Sequence, residues 1–467
     1  MNITANNSDN LTRSHYRFGL IEKLFVWSIV LEPMIFFTIF GANITGIGGN
    51  ISRSLQFLVL VSILVRTMLT GSKVIYLPNI FHLKYRWFFI FIAFYILSML
   101  YGYSIGAYES STLTISRLNQ GTTSAFSSML NGQLVRPFLE VFILIFYFMY
   151  MVILPQFLLR NNRGINYLFK VFFFMFFLSF FLGILDLILA FFFSIEFIPR
   201  TIADWTQVGN RFHGIAGEPR DAFVFLALGV CMLYLRDLWR DTNTNRLWYF
   251  AIFIAALLTQ SVSGYVGLAI MAGLILVYGI PKMPLKINLT LLIFFILIGT
   301  SVYIYAINSE RVLQYIEYAP IAFEILKNNE ELPAMVQTQI VNIYPIWIRF
   351  SEILNLDLLP TFIGTGAGSS AVLNGSFFTD DTGLKNPNAN VIRLFYEAGI
   401  IGSLIYIYSF LAPLKTFTSN ESNKRGLTLI TLIILGACFG HRSTSVFIVL
   451  GTILLIFSLK NKPEEGY

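Results

Sequence analysis

Apolar stretches long enough to cross a bilayer follow one another along most of the chain, and no other feature limits its fold as strongly. They run at about 20–40, 55–70, 87–107, 137–159, 168–195, 219–235, 247–260, 264–280, 287–307, 391–414, 427–440 and 443–459. Backbone amides and carbonyls in hydrocarbon have no water to bond, so a crossing segment must close its own hydrogen bonds. Each run therefore predicts a helix, a full span needing roughly 20 residues. Pro33, Pro155 and Pro413 fall in or at the ends of runs, where proline kinks or stops a helix. Composition agrees. Of 467 residues, 56% are hydrophobic and 12% charged, against about a quarter charged in a soluble domain.

Two regions require a choice. Residues 247–280 and 426–459 are each long for one span and short for two. The first carries a polar break at Gln260-Ser261-Val262-Ser263-Gly264, the second at Gly440-His441-Arg442-Ser443. Lysine and arginine concentrate in the short loops that stay in the cytoplasm. Splitting both regions into hairpins puts the short basic connections with Lys282 and Lys286, and with Lys415, Lys424 and Arg425, inside. The expectation is an all-α polytopic membrane protein of about twelve transmembrane helices with both termini cytoplasmic. Residues 1–307 hold spans 1–9, 308–390 form a long outer loop with short helices, and 391–467 hold spans 10–12. The loop's stretch from Ile340 to Leu354 reads as an amphipathic surface helix, and Gly364 to Ser370 as a flexible turn.

This topology gathers polar residues on one face. The stretch Arg211-Phe-His-Gly-Ile-Ala-Gly-Glu-Pro-Arg-Asp221 sets two arginines, a histidine and two carboxylates between apolar runs. Charge is costly beside hydrocarbon, so such a cluster marks a candidate site. The Ser261 break, the 308–390 loop and the His441–Arg442 break fall on the same outer face. Arg211, Arg220, Arg349 and Arg442 are the candidate diphosphate ligands, because guanidinium is always charged and its planar fork matches phosphate oxygens. The competing reading is that they anchor the chain to phospholipid headgroups. Glu218, His213 and His441 are the candidate acid–base residues. Arg393 and Glu397, four apart within a span, read equally as a structural ion pair or as part of a site.

Other chemistries lack support in the sequence. The net charge of +7 is dispersed, which gives no nucleic-acid face. Cys231 and Cys438 each lie inside an apolar run without metal or redox spacing, so no metal site is expected. Gly364 to Ser370 lacks the Gly-Lys-Ser/Thr ending of a nucleotide-binding loop. Ser261 and Ser263 have no nucleophile elbow around them and read as partners for backbone groups at a broken helix.

Three local patterns, in this order along the chain, resemble the O-antigen polymerase and O-antigen ligase superfamily of bacterial surface-polysaccharide enzymes. They are Arg211-Phe-His-Gly with Glu218-Pro219, then Leu258-Thr-Gln-Ser-Val-Ser-Gly264, then Asn388-Ala-Asn-Val-Ile-Arg-Leu-Phe-Tyr-Glu-Ala-Gly-Ile-Ile-Gly402. Asn388 stands where the ligases carry a histidine; asparagine can position a hydroxyl but cannot act as a base. The resemblance therefore favours polymerase. It implies a glycosyltransferase type C-like fold and a metal-independent glycosyltransferase without cofactor. Polyprenyl-diphosphate-linked oligosaccharides would be joined on the periplasmic face of the bacterial inner membrane. Asn388, Ser261 and Ser263 would position acceptor or sugar hydroxyls. Membrane lipids and a chain-length regulator protein would be the further partners. Three alternatives stay open: a ligase moving finished glycan to lipid A core, a polysaccharide flippase or secondary transporter, which also uses interrupted helices, and a structural membrane protein.

Overall fold

The computed structural model describes residues 19–34, 51–70, 84–108, 135–195, 197–198, 211–279, 357–371, 390–416, 420–441 and 443–460, with single positions between 296 and 324. Among these residues every element is helical. They are α1 (Leu20–Val30), α2 (Ile51–Thr70), α3 (Arg86–Ser104), α4 (Val135–Phe148), α5 (Asn162–Phe193), α6 (Pro219–Arg240), α7 (Arg246–Leu258), α8 (Val262–Leu274), α9 (Leu358–Ile363), α10 (Asn390–Leu411), α11 (Glu421–Gly440) and α12 (Ser445–Lys460). Six helices among the described residues are long and apolar enough to cross a membrane: Ile51–Leu69, Arg86–Ser104, Pro137–Leu158, Asn162–Phe193, Pro219–Arg240 and Asn390–Lys415. Eleven of the twelve predicted runs coincide with helices. The twelfth, 287–307, lies outside the described residues apart from single helical positions, as does the Ile340–Leu354 stretch.

Polar caps push helices past their apolar runs. Asn161 accepts a hydrogen bond from the Gly164 amide at 2.7 Å and starts α5 six residues ahead of the run at 168. Asn420 caps α11 in the same way, through the Ser422 amide. The prolines act as their fixed φ dictates. Pro33 lies just past α1 and Pro413 just past α10. Pro155 follows a wide turn at Met149–Ile153, where the Leu154 amide reaches the Met149 carbonyl, and opens a short helix to Leu158.

Both broken regions are hairpins. At one end of the bundle, the Phe212 amide donates to the Leu258 carbonyl at 2.9 Å, Gly264 abuts Phe223, Gly440 abuts Ser263, and His441 meets Asp221. At the other end, Trp239 donates to Asn166, Arg236 to Thr244, and Lys460 to the Leu238 carbonyl, and Gly426 abuts Tyr234. Helices α5 to α8, α11 and α12 therefore alternate in direction. The first end gathers the Arg211–Asp221 stretch, the Ser261 break and His441. The second gathers Arg236, Lys424 and Lys460.

Small residues let the hairpins interlock. Gly436 and Gly440 of α11 meet Met271, Gly267 and Ser263 of α8; a Cβ at Gly440 would lie 2.2 Å from the Ser263 carbonyl oxygen. Close backbone approach of this kind is how helices associate where the hydrophobic effect supplies no drive. Phenylalanines fill the interior around α5 and α6, with Phe169, Phe172, Phe176 and Phe225 buried. The outer flanks of α2 and α5 stay apolar and uncovered: Met68 is 73% and Phe174 60% exposed. Continuous apolar surface on this scale suits lipid rather than water.

Candidate site at one end of the bundle

The Arg211–Asp221 stretch is held by backbone contacts as well as by its charged side chains. Gly214 has φ +53, and a Cβ there would lie 2.6 Å from the Ser179 hydroxyl, so only glycine lets the chain lie flat on α5. The Ser179 hydroxyl accepts from the Ile215 amide at 3.0 Å. Pro219 then starts α6 at its first turn, where a missing amide hydrogen costs nothing. Glu218 consequently sits at the helix entrance, with Arg220 and Asp221 in the first turn.

Two histidine–aspartate pairs flank this turn, and they differ in kind. His213 is fully buried; its Nε2 lies 3.1 Å from Asp186 Oδ2 and its Nδ1 3.0 Å from the Gly214 carbonyl. Asp186 Oδ1 accepts from the Phe197 and Ile198 amides, both at 2.8 Å. Both ring nitrogens of His213 lie near acceptor oxygens, Nε2 at ion-pair distance from Asp186 without hydrogen-bond geometry. Its role is to fasten the stretch to α5. His441 instead meets Asp221 Oδ1 through Nε2 at 2.9 Å, while its Nδ1 is buried without a hydrogen-bond partner. The Asp221 contact fixes Nε2–H as donor and leaves the Nδ1 lone pair free.

Glu218 Oε1 and Asp221 Oδ2 are likewise buried acceptors without a hydrogen-bond partner, and beside them His213 Nε2 and the donor Arg220 Nε are also buried without one. A buried polar atom left unpaired costs about 1–3 kcal/mol, so such a cluster needs an account. Arg220 does not supply it, because its Nε faces the other Glu218 oxygen at 2.5 Å. Burial raises the Glu218 carboxyl above its ordinary value of 4.5, Arg220 and His441 opposing and Asp221 adding to the rise. These residues are not spaced to converge on one metal ion. Ser261 caps α8 through the Gly264 amide at 3.2 Å and is buried, a structural task; Ser263 lies one turn on and is half-buried.

A second charged knot holds α10. Arg393 bonds Glu397 Oε1 at 2.9 Å and Glu140 Oε2 at 2.8 Å, all three buried. Tyr95 and Ser370 donate to the Glu397 carboxylate, and Ser98 and the Gly366 amide to its carbonyl. The 364–370 segment is thus no flexible turn: Gly364, Gly366 and Gly368 take positive φ, and its residues are buried against α3 and α10. Gly399 breaks α10 at φ +63, where a Cβ would lie 2.4 Å from the Phe362 carbonyl oxygen. The knot makes Arg393 and Glu397 a buried ion pair joined to Glu140.

The structure therefore brings together Glu218, Arg220 and His441 of the expected site residues around Asp221, with Arg211 and Ser261 at the same end of the bundle. It gives His213 a fastening role. Arg349, Asn388 and Arg442 lie outside the described residues. Sequence reading passed over Asp221 as His441's partner, Asp186 as His213's, and Glu140. A lone carboxylate inside an apolar run was the available signal for Asp186 and Glu140. Comparison with family models, curated proteins and solved structures returned no match.

Proposed function

We propose that the protein is a surface-polysaccharide polymerase that joins oligosaccharide repeat units carried on polyprenyl diphosphate. The reading places it in the bacterial inner membrane with the charged end of the bundle at the periplasmic face, in a glycosyltransferase type C-like fold. One observation carries it: an apolar helix bundle collects arginine, carboxylates and a histidine with a free ring nitrogen at one end, held by rigid helix entrances. The three sequence patterns that resemble the O-antigen polymerase and ligase superfamily support the same reading, two of them meeting at this end.

The chemistry asks little beyond alignment and charge. The leaving diphosphate is already stable, so the protein must neutralise its growing charge and aim the attacking hydroxyl. Arg211 is assigned to the diphosphate, with Arg349 and Arg442 as further ligands. Asn388 is assigned to a sugar hydroxyl. Arg220, engaged by Glu218, is assigned to holding that carboxylate. Neither metal nor nucleotide sugar enters.

Deletion of the gene tests the reading through the cell-surface glycan. Lipid A core bearing single repeats is the expected outcome. Core without any repeat would point instead to a ligase or a flippase.

A further inference from the structure

We infer that Glu218, Asp221 and His441 form the subsite of the acceptor sugar, with His441, oriented by Asp221, taking the proton of the attacking hydroxyl. The inference rests on the polymerase reading and assigns one half of its reaction. Its basis is the three buried acceptor atoms without donors, Glu218 Oε1, Asp221 Oδ2 and His441 Nδ1. Asp221 is 3% exposed.

The chemistry of the missing partner follows. Two carboxylates face one guanidinium, Arg220, so this turn disfavours a further anion beside them. The atoms here without hydrogen-bond partners are three acceptors against one donor, Arg220 Nε, a set that hydroxyls, which donate and accept, can satisfy. A sugar ring brings several O–H donors on neighbouring carbons and is neutral. The three residues enter from two elements, the start of α6 and the end of α11, so a ring bridging them reads their spacing. His213 is turned the other way, toward Asp186 and the Gly214 carbonyl.

The step balances. The acceptor oxygen forms a bond to the donor's anomeric carbon while the bond from that carbon to the diphosphate oxygen breaks. The bonding pair leaves with polyprenyl diphosphate. The hydroxyl proton passes to His441 Nδ1, and the imidazolium is stabilised by Asp221 until the proton goes to solvent. Attack from the face opposite the diphosphate inverts the anomeric centre. Asp221 is a positioning residue; His441 and Glu218 touch substrate.

The test uses full-length protein in nanodiscs and two probes. Polyprenyl diphosphate alone measures binding at the donor side. Transfer from lipid-linked repeat units to the octyl glycoside of the same repeat measures the acceptor side. Asp221→Asn and His441→Gln are expected to lower kcat about 10²-fold or more, and Glu218→Gln to raise KM for the glycoside. All three are expected to bind polyprenyl diphosphate as the wild type does, which also shows that they fold. Loss of that binding in any of the three, or wild-type kcat in Asp221→Asn, overturns the assignment while leaving the polymerase reading intact. Absence of transfer by the wild-type protein itself removes the reading, and the subsite with it.

Discussion

At the residue scale, charge identity and charge geometry separate. Arg211→Lys keeps the positive charge and loses the planar fork that grips two phosphate oxygens. Surface glycan from cells carrying this variant is expected to shrink to short chains on a sizing gel; full-length polymer would remove Arg211 from the site. Glu218 gives a pH signature. Its carboxyl is raised in the folded protein, chiefly by burial, so the folded state binds the proton more tightly than the unfolded one. Stability is then full below the ordinary value of 4.5 and falls as pH rises through it toward the folded value. Glu218→Gln removes that loss. Its melting temperature in detergent is expected to draw ahead of the wild type's as pH goes from 4 to 8, whereas a gap independent of pH would contradict the burial account. Arg393→Met leaves Glu140 and Glu397 buried without their cation, a loss of about 3–5 kcal/mol. The residue types of the site were legible in the stretch 211–221, because charge between apolar runs stands out. Their partners were not. Asp221 and His441 lie 220 positions apart, and only the folded chain pairs them.

At the element scale, hydrophobic runs and polar breaks were enough to place eleven helices and both hairpins, since hydrocarbon leaves a segment little choice but helix. What escaped was local geometry that composition does not encode. The wide turn at Met149–Ile153 sits inside uniformly apolar sequence, and the break at Gly399 inside a stretch whose charges read as a helical i,i+4 pair. The 364–370 segment reads as a plain glycine turn until Glu397 and Tyr396 are seen to accept its amides. Interlocking of α8 and α11 likewise depends on glycines that look incidental in an apolar run. Gly440→Ala would push a methyl to 2.2 Å from the Ser263 carbonyl oxygen, costing about 1–3 kcal/mol as overpacked cores do. Its thermal midpoint should fall clearly, and a midpoint equal to the wild type's would mean that the two helices are not in that contact. Because both helices end at the site, the same substitution is expected to displace His441 from Asp221.

At the scale of the whole molecule, the protein divides its ends by chemistry. One end carries Arg236, Lys424 and Lys460, the other the acid–base cluster, with apolar helix flanks between them. Asn243, exposed between α6 and α7, and Ser443, between α11 and α12, lie at opposite ends. Cysteines placed at these positions should react with impermeant maleimide from opposite sides of the membrane, Ser443→Cys from outside the cell, with the buried Cys231 and Cys438 silent. Labelling of both from one side would break the hairpin arrangement. The most direct measurement is synthesis itself: purified protein mixed with lipid-linked repeat units and no other enzyme, the products resolved by length. The account predicts a ladder of multiples of one repeat, with polyprenyl diphosphate released at each step. Repeat units that remain single while the lipid carrier stays attached would contradict it.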